Sequence, residues 1–286
     1  MQPISIAILG GDLRQCYLAD YMYIMRHDVT CYSTMPFSYK GSILQASLKD
    51  AVLGAQLILC PIPFSKDGIT LFSSAKGKKS VTLKELLDVL RPGQSLFGGN
   101  IPAEFTASCM NRQVSVIDLM KEPSLTLANA ALTAEGLLSS LIAETPFSLF
   151  RRRLLLLGFG RCGQEIGKQL AFFDMHITAY DNDISRLAKA RTLDFTALTP
   201  EELPLSRFDY DLVINTIPMQ VITRDQLNQL PDACILFDIA SAPGGFDDTI
   251  IKELNRKLFC CPGIPGRFMP QTAAELIGKT VLERML

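Results

Sequence analysis

Gly158-Phe159-Gly160-Arg161-Cys162-Gly163 restricts the fold of this chain more than any other stretch. A GxGxxG pattern alone is common. Here an apolar run, residues 154–157, precedes it. A helical stretch, 161–173, follows, with Gly163, Ile166, Gly167, Leu170 and Ala171 on one face. A second strand, 177–180, then ends in Asp181, about 20 residues beyond the motif. This strand–turn–helix–strand order is the context that turns the pattern into a dinucleotide-binding fingerprint. Gly158 allows the tight turn, Gly160 lets a pyrophosphate approach the backbone, and Gly163 brings helix onto strand. Arg161 and Cys162 open the helix, whose free N–H groups and dipole favour an anion. The competing reading is a glycine-rich turn that binds nothing.

Asp181 is placed to accept hydrogen bonds from ribose hydroxyls, and its charge repels a 2′-phosphate. Asn182 and Arg186 follow it, and Arg186 can reach such a phosphate or simply face water. The cofactor reading is therefore NAD or NADP. Two later strands end in Asn215-Thr216-Ile217-Pro218 and in the loop 238–245. Ligands of open parallel sheets lie at such strand ends. Asn215, Thr216, Ile217 and Pro218, with Ala240, Ser241 and Pro243, are thus expected to pass over the ribose and nicotinamide.

The first half repeats the rhythm. Apolar runs at 4–9, 29–32, 56–60, 95–97 and 114–117 are separated by helix-length segments. Residues 125–141 read as a long helix, and Arg151-Arg152-Arg153 as a solvated lead-in to the next strand. Further strands fall at 212–215, 234–238 and 258–260, with helices at 184–191 and 271–286. The expected class is α/β, with doubly wound parallel sheets covered on both faces. The expected division is 1–122, a linker helix 123–147, and a nucleotide domain 148–265.

Composition narrows the classes. The 286 residues carry a net charge of -1, which disfavours nucleic-acid binding through many phosphate contacts. No apolar run is read as long enough for a membrane span, and no signal peptide is evident. The eight cysteines form no CxxC pair and read as mostly buried thiols of a cytoplasmic protein. With two distant histidines, His27 and His176, no metal site is expected.

Several motifs point further. Ile8-Leu9-Gly10-Gly11-Asp12-Leu13-Arg14-Gln15 opens the chain. The glycine motif, Asn215 to Pro218, residues 238–245 and Pro262-Gly263-Ile264-Pro265-Gly266 follow in order. Together they resemble the dipicolinate synthase A-chain family over nearly the whole sequence. That resemblance implies two Rossmann-like domains flanking a cleft, with helix 270–286 returning to the first. It implies oxidation of a reduced pyridine dicarboxylate of the lysine pathway, in the mother cell of a sporulating bacterium. A flavoprotein-like second subunit is implied as partner, while a homodimer suits the architecture. The family's cofactor is usually NADP. Ala242 and Gln271 stand where the family usually has arginine and lysine.

A dicarboxylate needs cations or clustered N–H groups. Gly11, Asp12, Arg14 and Gln15 are the first-domain candidates, with Arg267 beside the PGxPG segment; Gly263 is assigned to the cofactor. The competing readings are a helix cap for Asp12 and an exposed helix residue for Arg14. Glu135, with Thr133 nearby, is the candidate acid or base on the linker helix, against a plain solvated glutamate. A 2-hydroxyacid dehydrogenase is the alternative enzyme, disfavoured because no histidine follows His176. A nucleotide-binding regulatory or scaffolding protein is the alternative without turnover.

Overall fold

The computed structural model describes residues 2–41, 43–77 and 80–285. They form two compact units, Met1–Ala128 with Met269–Leu286, and Asn129–Phe268. The first contains β1 (Ser5–Leu9), α1 (Leu13–Ile24), β2 (Asp28–Tyr32), β3 (Leu44–Gln45), α2 (Leu48–Leu53) and β4 (Leu57–Leu59). It continues through α3 (Leu83–Val89), β5 (Ser95–Gly98), α4 (Ala103–Asn111) and β6 (Ser115–Asp118), and α5 (Pro123–Glu144) leads out of it. The second contains β7 (Arg153–Leu157), α6 (Arg161–Ala171), β8 (His176–Tyr180), α7 (Ile184–Arg191), β9 (Thr196–Leu198) and β10 (Leu212–Asn215). It ends with α8 (Arg224–Gln229), β11 (Ile235–Asp238), α9 (Asp248–Glu253), β12 (Lys257–Cys260) and α10 (Ile264–Phe268). Helix α11 (Pro270–Arg284) belongs to the first unit.

The strand orders are β3-β2-β1-β4-β5-β6 and β12-β11-β10-β7-β8-β9, and every ladder is parallel. Counted within each unit, both follow the Rossmann order 3-2-1-4-5-6. The central strands are apolar because both faces are covered. Ile6 and Ile8 of β1 enter one core layer and Ala7 and Leu9 the other. Leu154 and Leu156 of β7 likewise oppose Leu155 and Leu157. Each such Leu or Ile buried from water contributes about 1.5–3 kcal/mol. The order of each sheet reverses between β1 and β4, and between β7 and β10. These reversals open two crevices at the carboxyl edges, one per unit.

Three expectations are corrected. The short edge strands β3 and β9 fall outside the sequence reading, since two or three residues carry too little pattern. The division between units falls inside α5, so this helix is shared and is not a separate linker. Leu125 enters the core of the first unit, and Leu137 and Leu141 that of the second. Finally, α5 is long and apolar enough, by length and composition, to cross a membrane. Over half of its most apolar stretch (56%) is buried inside the protein, as in a core helix. The expected last helix residue, Leu286, lies outside the described residues.

The arginine triplet caps the entry to β7 through ion pairs. Arg151 meets Asp174 at 2.8 Å and Arg152 meets Asp211 at 3.4 Å, while Arg153 pairs with Asp209.

Candidate active site

The crevice between β7 and β10 is open. Gly158 follows β7 at φ 89°, a left-handed conformation that favours glycine. Its N–H donates to Tyr180 O at 2.8 Å. The Thr216 hydroxyl donates to Leu157 O at 3.0 Å, pinning the glycine turn to the end of β10. At Gly163 a Cβ would lie 2.0 Å from Gly158 O, so α6 packs onto the turn only without a side chain there. Gly160 differs. It is the residue before α6, and the nearest atom to a Cβ built on it is Arg186 Nη1 at 3.9 Å. The space above Gly160 is a cradle that a side chain would fill.

That cradle belongs to a cavity of about 380 Å³ lined by Gly158, Gly160, Asp181, Arg186, Thr216 and Pro218, among others. Asn182 and Ile217 also line it, as the motif reading anticipates. Tyr180, Pro200, Met219 and Val221 line it too and carry no motif that marks them in the sequence. Pro200 follows the unanticipated strand β9, and Met219 and Val221 lie just past the strand-end motif.

Asp181 does not face the cavity with a free carboxylate. It is 3% exposed, and Phe159 N–H donates to its Oδ2 at 2.7 Å and Asp183 N–H to its Oδ1 at 2.9 Å. Arg186 Nη1 lies 3.3 Å from Oδ2, and its side chain is half exposed at the cavity mouth. The carboxylate thus holds the glycine loop and carries a guanidinium to the rim. Asp181 thus has a structural role beside the ribose contact expected of it.

Asn215 and Asp238 are likewise turned inward. Asn215 Nδ2 donates to Ile217 O and to Asp238 Oδ1, and its Oδ1 accepts from Ile217 N–H. Asp238 also accepts from Ala240 N–H and Gly245 N–H. Ala240, Ser241 and Pro243 lie on the loop this network shapes, with Ser241 and Pro243 exposed. They do not line the described cavity, and neither does Gly263, exposed at φ 67°.

Arg161 is exposed and Cys162 half buried at the start of α6. Burial pushes the Cys162 thiol up, while the Thr133 hydroxyl within hydrogen-bond reach opposes that shift. Thr133 is itself buried and donates to Asn129 O at 2.7 Å. Glu135, two residues on, is exposed. Arg267 is exposed on α10, its guanidinium beside Phe268 and against the Cys261 thiol. It does not line the described cavity.

The crevice between β1 and β4 is occupied by the chain itself. Gly10 and Gly11 have φ of 58° and 75° and form the expected turn. Gly11 N–H donates to Phe72 O at 2.7 Å, and Ser74 N–H donates back to Gly11 O at 2.8 Å. A Cβ on Gly10 would lie 2.6 Å from Phe72 O. These glycines admit residues 72–74, not a ligand, which corrects the expectation for Gly11. Asp12 caps α1, accepting from Arg14 N–H and forming a bidentate pair with the Arg14 guanidinium at 2.9 and 2.8 Å. Arg14 Nη2 also donates to Ile62 O. Arg14 is buried, neither exposed nor directed at a ligand by these bonds. Gln15 Nε2 donates to Leu59 O at 3.2 Å and reaches Leu9 O at 3.4 Å, bridging the ends of β1 and β4.

Both histidines lie at the opposite, amino edges of the sheets. His176 begins β8, and His27 precedes β2. Neither is placed for acid–base work at a carboxyl-edge crevice. Among the described residues no group of three His, Cys, Asp or Glu is arranged for a metal.

Comparison with known proteins agrees with this division. Residues 5–120 match the family model for the N-terminal domain of the dipicolinate synthase A chain. Residues 128–257 match the D-isomer specific 2-hydroxyacid dehydrogenase, NAD binding domain. The chain is 23% identical over 287 aligned positions to the dipicolinate synthase A chain of Bacillus subtilis (strain 168), covering 99% of this chain and 96% of the relative. The crystal structure of the Bacillus subtilis dipicolinate synthase A chain superposes with a TM-score of 0.85 at 20% identity, covering 100% of this chain and 96% of that one. The dipicolinate synthase A chain from Bacillus halodurans gives 0.85 at 20% identity, covering 98% and 96%. The fold is therefore Rossmann-like in both units, and the second carries a domain of the NAD-binding dehydrogenase type.

Proposed function

We propose that this chain is a dipicolinate synthase of the A-chain type, a nicotinamide-dependent oxidoreductase that converts a dihydrodipicolinate-type precursor to dipicolinate. The observation that carries this reading is the open, glycine-lined cavity between β7 and β10, where Gly160 leaves a cradle free for a pyrophosphate. Similarity along 99% of the chain to a dipicolinate synthase supplies the substrate class.

Gly158, Gly160 and the first turn of α6 would hold the pyrophosphate, and Arg186 and Asn182 would face the adenosine ribose. A bound nicotinamide cofactor supplies a two-electron oxidant. The precursor loses a hydride and a proton and becomes an aromatic pyridine, so the reaction is strongly downhill. The chain then chiefly has to orient the ring and accept one proton. Glu135, an exposed carboxylate on α5, is assigned that proton. A flavoprotein-like second subunit is part of the same proposal.

Thermal-shift titration with NAD, NADP and dipicolinate, singly and in pairs, tests the reading. A ligand that binds only the folded chain raises Tm by mass action. A nucleotide shift enlarged by dipicolinate is expected. A nucleotide shift indifferent to dipicolinate would favour a binding protein without turnover, and no nucleotide shift would overturn the proposal.

A further inference from the structure

The connection from β4 to α3 runs from residue 60 to residue 82 without a helix or ladder strand among its described residues. Connections longer than about 12–15 residues of this kind are uncommon in compact domains and are often functional. Part of this one does a plain structural job, since residues 72–74 fill the first unit's glycine turn. Its other side forms a separate cavity of about 430 Å³ at the carboxyl edge of the sheet. That volume lies in the range of small-ligand pockets, ~300–1,000 Å³.

The lining of this cavity is hydroxyl-rich. Ser33, Thr70, Ser73, Ser74 and Ser80 all contribute, with the Lys66 ammonium and the Phe72 ring. Ser33 follows β2 at φ 57°, and the Ser73 hydroxyl donates to its carbonyl at 2.8 Å. Lys66 Nζ stands 4.0 Å over the centroid of Phe72, held at the cavity by a cation–π contact. Asp67, the acidic residue in the lining, is already engaged. It accepts from Thr70 N–H at 2.7 Å, Thr70 Oγ1 at 2.7 Å, Ile69 N–H at 2.8 Å and Ser65 Oγ at 3.0 Å. The Ser33, Thr70 and Ser73 hydroxyls already donate within the chain, which leaves those of Ser74 and Ser80 to face a ligand. The cavity therefore combines hydroxyl donors with one cation at its wall, and its carboxylate is tied down locally.

We infer that this cavity binds the dicarboxylate substrate through one of its carboxylates, with Lys66 as counter-ion and the hydroxyls of Ser74 and Ser80 as donors. The identity of the dicarboxylate rests on the oxidoreductase reading above. Gly11 then acts behind the cavity: its backbone fixes the segment 72–74 that forms the wall.

The test is a titration of the full chain with pyridine-2,6-dicarboxylate and, separately, inorganic phosphate, with backbone amides followed by NMR and affinity by calorimetry. Wild type is compared with Lys66→Met, Lys66→Arg and Ser74→Ala, and each sample is also titrated with NAD and NADP. The expected result is dicarboxylate-induced shifts at Ser33 and at residues 72–75. Lys66→Met should weaken the dicarboxylate at least tenfold, Lys66→Arg should restore most of the loss, and nucleotide affinity should not change. Dicarboxylate binding that shifts other amides and ignores Lys66→Met overturns this inference and leaves the proposed function standing. No dicarboxylate binding with or without nucleotide overturns both. Displacement of the dicarboxylate by equimolar phosphate overturns the selectivity for carboxylates. Lys66 and Ser74 are exposed, and unchanged Tm values in the variants would exclude misfolding as the cause of any loss.

Discussion

Asn215 Nδ2 donates to Asp238 Oδ1 at 2.9 Å, across the register pair that ends β10 and β11. Both side chains are buried, and every polar atom of the Asn215 side chain is used. Leaving a buried partner unsatisfied costs about 1–3 kcal/mol. Asn215→Ala should lower stability by that amount in urea denaturation and weaken nucleotide binding. Asn215→Asp should do worse, because a second carboxylate would face Asp238.

Gly160 and Gly163 separate binding from folding. Gly160→Ala meets nothing closer than 3.9 Å, so Tm should hold while nucleotide affinity falls at least tenfold by calorimetry. Gly163→Ala drives a methyl to within 2.0 Å of Gly158 O and should cost stability as well as binding.

Arg186 is a half-exposed partner of Asp181, and such pairs contribute about 0–1 kcal/mol. Arg186→Ala should therefore leave Tm nearly unchanged. It should reduce affinity for NADP about tenfold, the loss of one charge-assisted contact, with little effect on NAD. Equal effects on both nucleotides would place Arg186 away from the 2′ position.

Arg14 and Asp12 form a bidentate pair with the arginine buried. Removing one member of such a pair costs about 3–5 kcal/mol. Arg14→Gln should show a lowered urea midpoint, with any dicarboxylate loss scaling with unfolding and not appearing at full foldedness.

His27 is buried, its Nδ1 has no hydrogen-bond partner, and burial lowers its pKa below the ordinary 6.5. The unfolded chain therefore takes up this proton first as pH falls. The stability it supports is complete above about pH 6.5 and is lost as pH falls towards the depressed folded value. Unfolding midpoints at pH 7.5 and 5.5 should diverge in wild type and converge in His27→Leu.

The second unit was legible because its signals are local. Glycine spacing, the strand before it and Asp181 after it identify the crevice, and the structure puts Gly158, Gly160, Thr216 and Pro218 around one cavity. The direction of the carboxylates was not legible. Asp181 and Asp238 are drawn inward by backbone N–H groups of loops whose course depends on tertiary packing. In the first unit the Gly10-Gly11 turn was legible, but its occupant was not. Phe72 meets Gly11 across a long stretch of sequence, and no periodic pattern marks an extended segment that pairs with a turn. Arg14 reads as a ligand-binding cation for the same reason: its acceptor Ile62 lies on a remote loop.

Helix α11 also governs the order in which the chain can become a protein. Ala274, Ile277 and Val281 complete the core layer around Leu18, Ala19 and Met22 of α1, and a Cβ on Gly278 would meet the Tyr21 ring at 2.4 Å. During synthesis residues 1–128 emerge first but lack this layer until residues 270–284 follow. The second unit is contiguous and has all its parts earlier. Domains usually mature from the amino end; here the nucleotide-binding half can close while the half begun before it still exposes an apolar helix face. A chain shortened before residue 270 would therefore emerge with one half complete and the other aggregation-prone.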